Sequence, residues 1–178
     1  MTLYKFLDLP KIPKELLDKY QPETILKEVP SRAQNKNGQE LQTSGGIFYY
    51  LNEELDSWLR ANITPDFFES SIRYTIGGPD RPVGGIHTDK YRVYALMYNI
   101  VTGGAGLSFW QEPGQPLIRS DYLLPNDYDQ LTLVESIETP EESWYIFDTR
   151  ALHSIENLTG TRINIQLSLN QLPNDIQL

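Results

Sequence analysis

The chain has no cysteine among its 178 residues, which excludes disulfides, thiolate-held zinc, iron–sulfur clusters and a cysteine nucleophile. Histidine is almost as scarce: there are two, His87 and His153, so any metal must be held by these and by carboxylates. Basic residues are the minority, with 15 Lys and Arg against 24 Asp and Glu and a formal charge of -9. Such a molecule repels polyphosphate and anionic lipid headgroups, so neither nucleic acid nor a membrane surface is expected as a partner. No apolar run approaches the roughly 20 residues of a membrane-spanning helix. Residues 1–14 lack a basic segment followed by an apolar one, and Pro10 and Pro13 interrupt what hydrophobicity there is, so a cytoplasmic location is expected. The sequons at Asn62 and Asn157 carry no weight without an export signal.

What is present is the profile of a globular protein, 39% hydrophobic and 22% charged, of a length that favours one domain over 1–178. Helical patterns are confined to the first third. Pro13 opens one over 13–20, and Asn52 caps another over 52–63, where Leu55, Trp58 and Leu59 fall on one face. The polar stretch 31–44 with its Asn37-Gly38 turn, followed by the aromatic run 46–51, reads as a hairpin or a loop. From Phe67 onward short β-branched and aromatic runs alternate with Gly, Pro, Asn and Asp. Strands are predicted at 70–76, 86–88, 92–100, 107–111, 131–138, 144–147, 151–157 and 162–169. About eight such strands suit a double-stranded β-helix, or jelly roll, mainly β with the N-terminal helices covering one sheet.

Both histidines fall in predicted strands. Asp89 follows His87 by two residues, and the period of a strand puts both side chains on one face. With His153 from a distant strand they make two imidazoles and one carboxylate, a facial set that leaves three metal positions open and suits a non-haem Fe(II) oxygenase. Each histidine is otherwise a half-buried, hydrogen-bonded strand residue.

Arg162 opens a run of clear alternation. Ile163, Ile165, Leu167 and Leu169 form an apolar face, while Arg162, Asn164, Gln166 and Ser168 form a polar one. An inward Arg requires an anion, either Asp148 or Glu156 in a salt bridge or a small dicarboxylate held in a fork. The loop 77–85 precedes the first candidate ligand and is placed to close over substrate, with Arg81 at its centre and Trp110 as a second entrance residue. A phosphate cradle is the poorer reading there, because no Gly-Lys-Ser/Thr follows and no helix is predicted to receive the phosphate.

His87-Thr88-Asp89, then His153, then Arg162, in this order and spacing, resemble the Fe(II)- and 2-oxoglutarate-dependent dioxygenases, particularly the prolyl 4-hydroxylase branch. Arg-Tyr-Thr-Ile-Gly-Gly before the first histidine, Gly103-Gly104 followed by Leu107 and Trp110, and Trp-Tyr-Ile-Phe-Asp before the second extend the likeness over 72–169. The resemblance implies that His87, Asp89 and His153 hold iron and that Arg162 takes the distal carboxylate of 2-oxoglutarate, helped by Tyr98. Tyr74 then reaches the carboxylate nearer the metal. It also implies hydroxylation of a small molecule, amino acid or peptidyl proline using O2, with release of succinate and carbon dioxide. Two other readings stay open: a cupin-type metal enzyme without 2-oxoglutarate, and a jelly-roll binding module with structural histidines.

Overall fold

A computed structural model of the protein describes residues 2–18, 46–76, 85–120, 125–174 and 176–178. The stretch 31–44 and most of the glycine-rich loop, including Arg81, lie outside the described residues. The elements in order are β1 (Tyr4–Leu7), α1 (Lys14–Leu17), β2 (Gly46–Tyr50), α2 (Glu53–Asn62), β3 (Glu69–Ile76), β4 (Tyr94–Val101), β5 (Gly106–Gln111), a 3-10 turn at Tyr128–Gln130, β6 (Thr132–Glu138), β7 (Trp144–Asp148), β8 (Leu152–Glu156) and β9 (Thr161–Leu169). Six strands form one sheet in the order β1-β7-β4-β9-β3-β2, and three form another in the order β6-β5-β8. All pairings are antiparallel. A single bridge from His87 to His153 attaches segment 85–89 to β8. The chain thus passes repeatedly from one sheet to the other, and the fold is the expected jelly roll.

Alternation along β9 explains the layering. Its Ile165, Leu167 and Leu169 join Leu16, Leu55, Leu59, Ile72, Leu96 and Trp144 in a core between the larger sheet and the helices. Its polar residues face the other way, toward the smaller sheet. There a second core forms from Ala95, Met97, Leu107, Phe109, Tyr145, Phe147 and Ala151.

Helix α2 is set by local chemistry. The Asn52 side chain accepts a bond from the Leu55 N–H at 2.9 Å, and Glu53, Glu54 and Asp56 lie in the first turn, where the helix dipole favours acids. Leu55 and Leu59, one turn apart, are fully buried, each burial stabilising by about 1.5–3 kcal/mol. The helix ends where Ile63 and Thr64 both donate to the Leu59 carbonyl, just before Pro65. Strand β1 was not foreseen. It pairs with β7 in the register Tyr4 to Phe147, and Trp144 Nε1 donates to the Pro10 carbonyl at 2.9 Å, which ties the proline-bearing segment to the sheet. Among the described residues, no helix is long and apolar enough to cross a membrane.

Candidate metal centre

His87 and His153 sit directly opposite each other. Each donates its backbone N–H to the other's carbonyl, at 3.1 and 2.9 Å, and their rings stand 4.7 Å apart between centroids. Asp89 is fixed two residues on, where its N–H donates to the Thr149 carbonyl at 2.9 Å. The strand period then brings its carboxylate to the same face as His87. Phe147 packs edge-on against the His153 ring at 5.0 Å, so one side of the cluster is the apolar wall between the sheets.

Asp89 Oδ1 lies 3.4 Å from His87 Nε2 and 4.0 Å from His153 Nε2, and the three side chains form a group able to hold a metal ion. Ligand atoms each about 2.1 Å from one ion are at most about 4.2 Å apart, so Asp89 Oδ1 lies within reach of an ion shared with either imidazole, and all three ligand atoms lie within 4.8 Å of one another. The imidazole tautomers fit as well. Nδ1 of His87 is 2.6 Å from the Gly85 carbonyl, and Nδ1 of His153 is 2.9 Å from the Ala151 carbonyl. Each must donate there, which leaves the Nε2 lone pairs facing Asp89.

Charge reinforces the arrangement. Burial and the neighbouring His87 push the His153 imidazole down to about 4, against the opposing pull of Asp89, so it is neutral at ordinary pH and available as a ligand. Burial alone would raise the Asp89 carboxyl, but Arg92 and the imidazoles hold it well below the usual carboxylate range. Arg92 Nε bonds Asp89 Oδ2 at 2.5 Å and its Nη1 bonds Gln166 Oε1 at 3.0 Å. That occupies one carboxylate oxygen and leaves the other for a metal.

Deeper between the sheets lies a polar interior on β3 and β9. Arg162 is 2% exposed and donates through Nη2 to the Tyr145 hydroxyl at 3.1 Å and to Asn99 Oδ1 at 3.5 Å. Neither carboxylate expected as its partner reaches it: Asp148 is bound by Arg150, and Glu156 accepts from the Ser154 hydroxyl. Among the described residues, Arg162 Nε, Thr75 Oγ1 and both side-chain polar atoms of Asn164 are buried without a hydrogen-bond partner. Buried polar groups are ordinarily satisfied, and three of these atoms, Arg162 Nε, Thr75 Oγ1 and Asn164 Nδ2, can donate, which is chemistry that suits a small anion. Arg73, opposite Asn164 in register, adds a second guanidinium. Burial and repulsion from Arg162 and Arg92 lower it to about 10, and it remains a cation at neutral pH.

Three expected contacts are corrected. Tyr98 and Tyr74 belong to the helix-side core with Trp144, Leu96 and Ile72. Tyr98 pairs with Ile165 while Asn99 pairs with Asn164, so it is Asn99 that faces the Arg162 side and the tyrosines turn away from it. Trp110 is likewise on the outer face of the smaller sheet. Phe109 pairs with His153, which turns Trp110 outward, and its Nε1 donates to Ser154 Oγ at 2.8 Å. The residues that sequence reasoning missed are Tyr145, Asn99, Arg73 and Arg92.

No protein-family model matches the chain, and no curated protein matches it. Among solved structures, the crystal structure of a Pseudomonas putida prolyl-4-hydroxylase superposes with a TM-score of 0.50 and 9% identity, covering 96% of this chain and 93% of that one. At that identity the likeness is one of fold, and it places the chain among jelly rolls of that architecture. The crystal structure of CapF with the inhibitor 3-isopropenyl-tropolone reaches a TM-score of 0.31 at 15% identity, over 77% of this chain and 31% of its own, too low to carry an argument.

Proposed function

We propose that the protein is an Fe(II)- and 2-oxoglutarate-dependent hydroxylase in which His87, Asp89 and His153 hold the iron. The observation that carries this reading is the convergence of Asp89 Oδ1 with two imidazole Nε2 atoms in the same inter-sheet space as an arginine lacking a carboxylate partner among the described residues. The fold shared with a prolyl-4-hydroxylase supports it. Bound iron with 2-oxoglutarate supplies oxidative decarboxylation coupled to oxygen insertion into a C–H bond.

The chain's own residues do the positioning. The two Nδ1–H bonds to the Gly85 and Ala151 carbonyls fix the ring planes, and Arg92 fixes the carboxylate. Arg162 holds the distal carboxylate of 2-oxoglutarate in a charge-assisted bond, with the Tyr145 hydroxyl beside it, and Arg73 balances the second negative charge. Phe109, Phe147 and Met97 wall the space with apolar surface, which keeps water from these charges and strengthens them. With a carboxylate at Asp89, bound iron would have no vacated ligand position for a halide, which favours hydroxylation over halogenation.

The test adds Fe(II) and then 2-oxoglutarate to the protein under anaerobic conditions and follows the visible charge-transfer band of the chelate. The band is expected in wild type and is lost in Arg162→Met with iron still bound. If folded, iron-loaded wild type shows no band, the 2-oxoglutarate assignment fails and a metal enzyme of cupin type takes its place.

A further inference from the structure

The two sheets are offset. The Tyr4 hydroxyl of β1 donates to Glu135 of β6 at 3.1 Å, Phe147 of β7 packs against Phe109 of β5 at 6.1 Å and against His153 of β8 at 5.0 Å, and Gln166 of β9 is tied to Asp89 through Arg92. The smaller sheet, extended by the segment that His87 bridges to β8, therefore covers the larger one from β1 as far as β9. In the order β1-β7-β4-β9-β3-β2, strands β3 and β2 run on past the metal cluster, and no described strand of the smaller sheet is tied to them.

Register identifies what that overhang offers. Tyr50 pairs with Ser71, and Ser71 with Gln166, and residues directly opposite each other share a face. Tyr50, Ser71 and Gln166 thus form one row leading outward from the metal ligands. At about 4.8 Å per strand, Tyr50 stands roughly 10 Å from Gln166. Between them the short, half-buried Ser71 leaves a trough. Tyr50 is 78% exposed, and neither its hydroxyl nor that of Ser71 has a hydrogen-bond partner among the described residues. A lone exposed aromatic needs no explanation; this one closes a row that begins at the metal cluster and carries no charged side chain.

We propose that Tyr50 is a substrate-recognition residue: an extended peptide crosses Ser71 with an apolar side chain against the Tyr50 ring, while the residue to be hydroxylated lies at the metal centre. The inference rests on the function proposed above and narrows its substrate. An extended chain advances about 3.3 Å per residue, so about three residues span the row, whereas a free amino acid covers only about a third of it. The Ser71 and Tyr50 hydroxyls can bond main-chain N–H and C=O groups, and an aromatic face accepts apolar side chains of several shapes. The peptide C–H receives one atom of O2 as a hydroxyl, and the other atom enters succinate as 2-oxoglutarate loses carbon dioxide.

The experiment gives the full chain, loaded with Fe(II) and 2-oxoglutarate, O2 and a library of octapeptides capped at both ends, and sequences by mass spectrometry the products that gain one oxygen. Wild type should enrich an apolar residue at one position, about three residues from the hydroxylated one. Tyr50→Ala, at an exposed position, should lower that enrichment about two- to tenfold, and Tyr50→Phe should keep it. Ser71→Leu, which fills the trough, should abolish product while the anaerobic 2-oxoglutarate band is retained. Enrichment that persists in Tyr50→Ala, equal product yield in Ser71→Leu, or a wild type that shows the band yet oxidises no library peptide overturns the proposal and leaves the reaction class standing. A folded, iron-loaded wild type without the band overturns the reaction class, and this inference with it.

Discussion

Replacing Tyr145 with Phe tests whether Tyr145 or Tyr98 stands beside Arg162 in the inter-sheet space. Tyr145 is fully buried and its hydroxyl takes the Arg162 Nη2 bond at 3.1 Å, whereas the remaining Asn99 contact is at 3.5 Å. Removing the hydroxyl leaves a buried guanidinium N–H with one long bond and, in the proposed complex, takes away a donor from the 2-oxoglutarate carboxylate. A hydrogen bond to a charged group contributes about 1.5–3 kcal/mol, so the dissociation constant of 2-oxoglutarate should rise about 10- to 150-fold. Co(II) affinity should be unchanged, because no metal ligand is touched. Tyr98→Phe is the matched control: Tyr98 lies in the helix-side core, and its loss should leave 2-oxoglutarate binding within about twofold of wild type. The assay is anaerobic titration of the iron-loaded variants with 2-oxoglutarate, read at the charge-transfer band. A weakened Tyr98→Phe beside an unaffected Tyr145→Phe would refute the assignment of faces.

Arg92→Met frees Asp89 Oδ2 and should weaken Co(II) binding about 10- to 100-fold, measured by titration; an unchanged affinity would show that Arg92 does not orient the carboxylate. In the metal-free protein, His153 takes its proton only near pH 4, whereas the unfolded chain takes it near 6.5. Stability should therefore be whole above pH 6.5 and fall by up to about 3 kcal/mol as pH drops to 4. Urea midpoints across that range should slope less in His153→Gln, and equal slopes would contradict the reasoning. Gly103 has φ +59, and a Cβ there would stand 2.7 Å from the Thr161 carbonyl oxygen at the entry to β9. Gly103→Ala should accordingly lower stability by about 2 kcal/mol in urea unfolding; an unchanged midpoint would show that the turn relaxes freely.

Much of the site was legible because β9 has one apolar and one polar face, so its parity could be read directly, and because His87 and Asp89 share a face by spacing alone. Neither condition holds on β4 and β7. Along β4, Tyr94, Leu96, Tyr98 and Ile100 face the helices and Ala95, Met97 and Asn99 face the other sheet. Both sides are apolar because both are covered, and a strand buried on two faces carries no polar parity to read. All five residues of β7 are buried, so nothing in its sequence says that Tyr145 rather than Trp144 points inward. Only cross-strand register settles it, through Met97 to Tyr145 and Met97 to Gln166. Trp110 failed for the same reason, its orientation being fixed by the pairing of Phe109 with His153. Helix α2 was readable at residue level since its cap, its acidic first turn and its Leu55 and Leu59 spacing all agree. Strand β1 was not, because four residues ahead of two prolines gain their order from the edge of β7.

The most direct measurement is titration of metal-free protein with Co(II), following the visible absorption of the bound ion in wild type, Asp89→Ala and His153→Ala. Wild type should saturate at one equivalent, and each substitution should abolish or greatly weaken uptake while circular dichroism shows the fold retained. Failure of folded wild type to bind one ion, or equal binding in the variants, would contradict the claim that these three side chains form a metal centre.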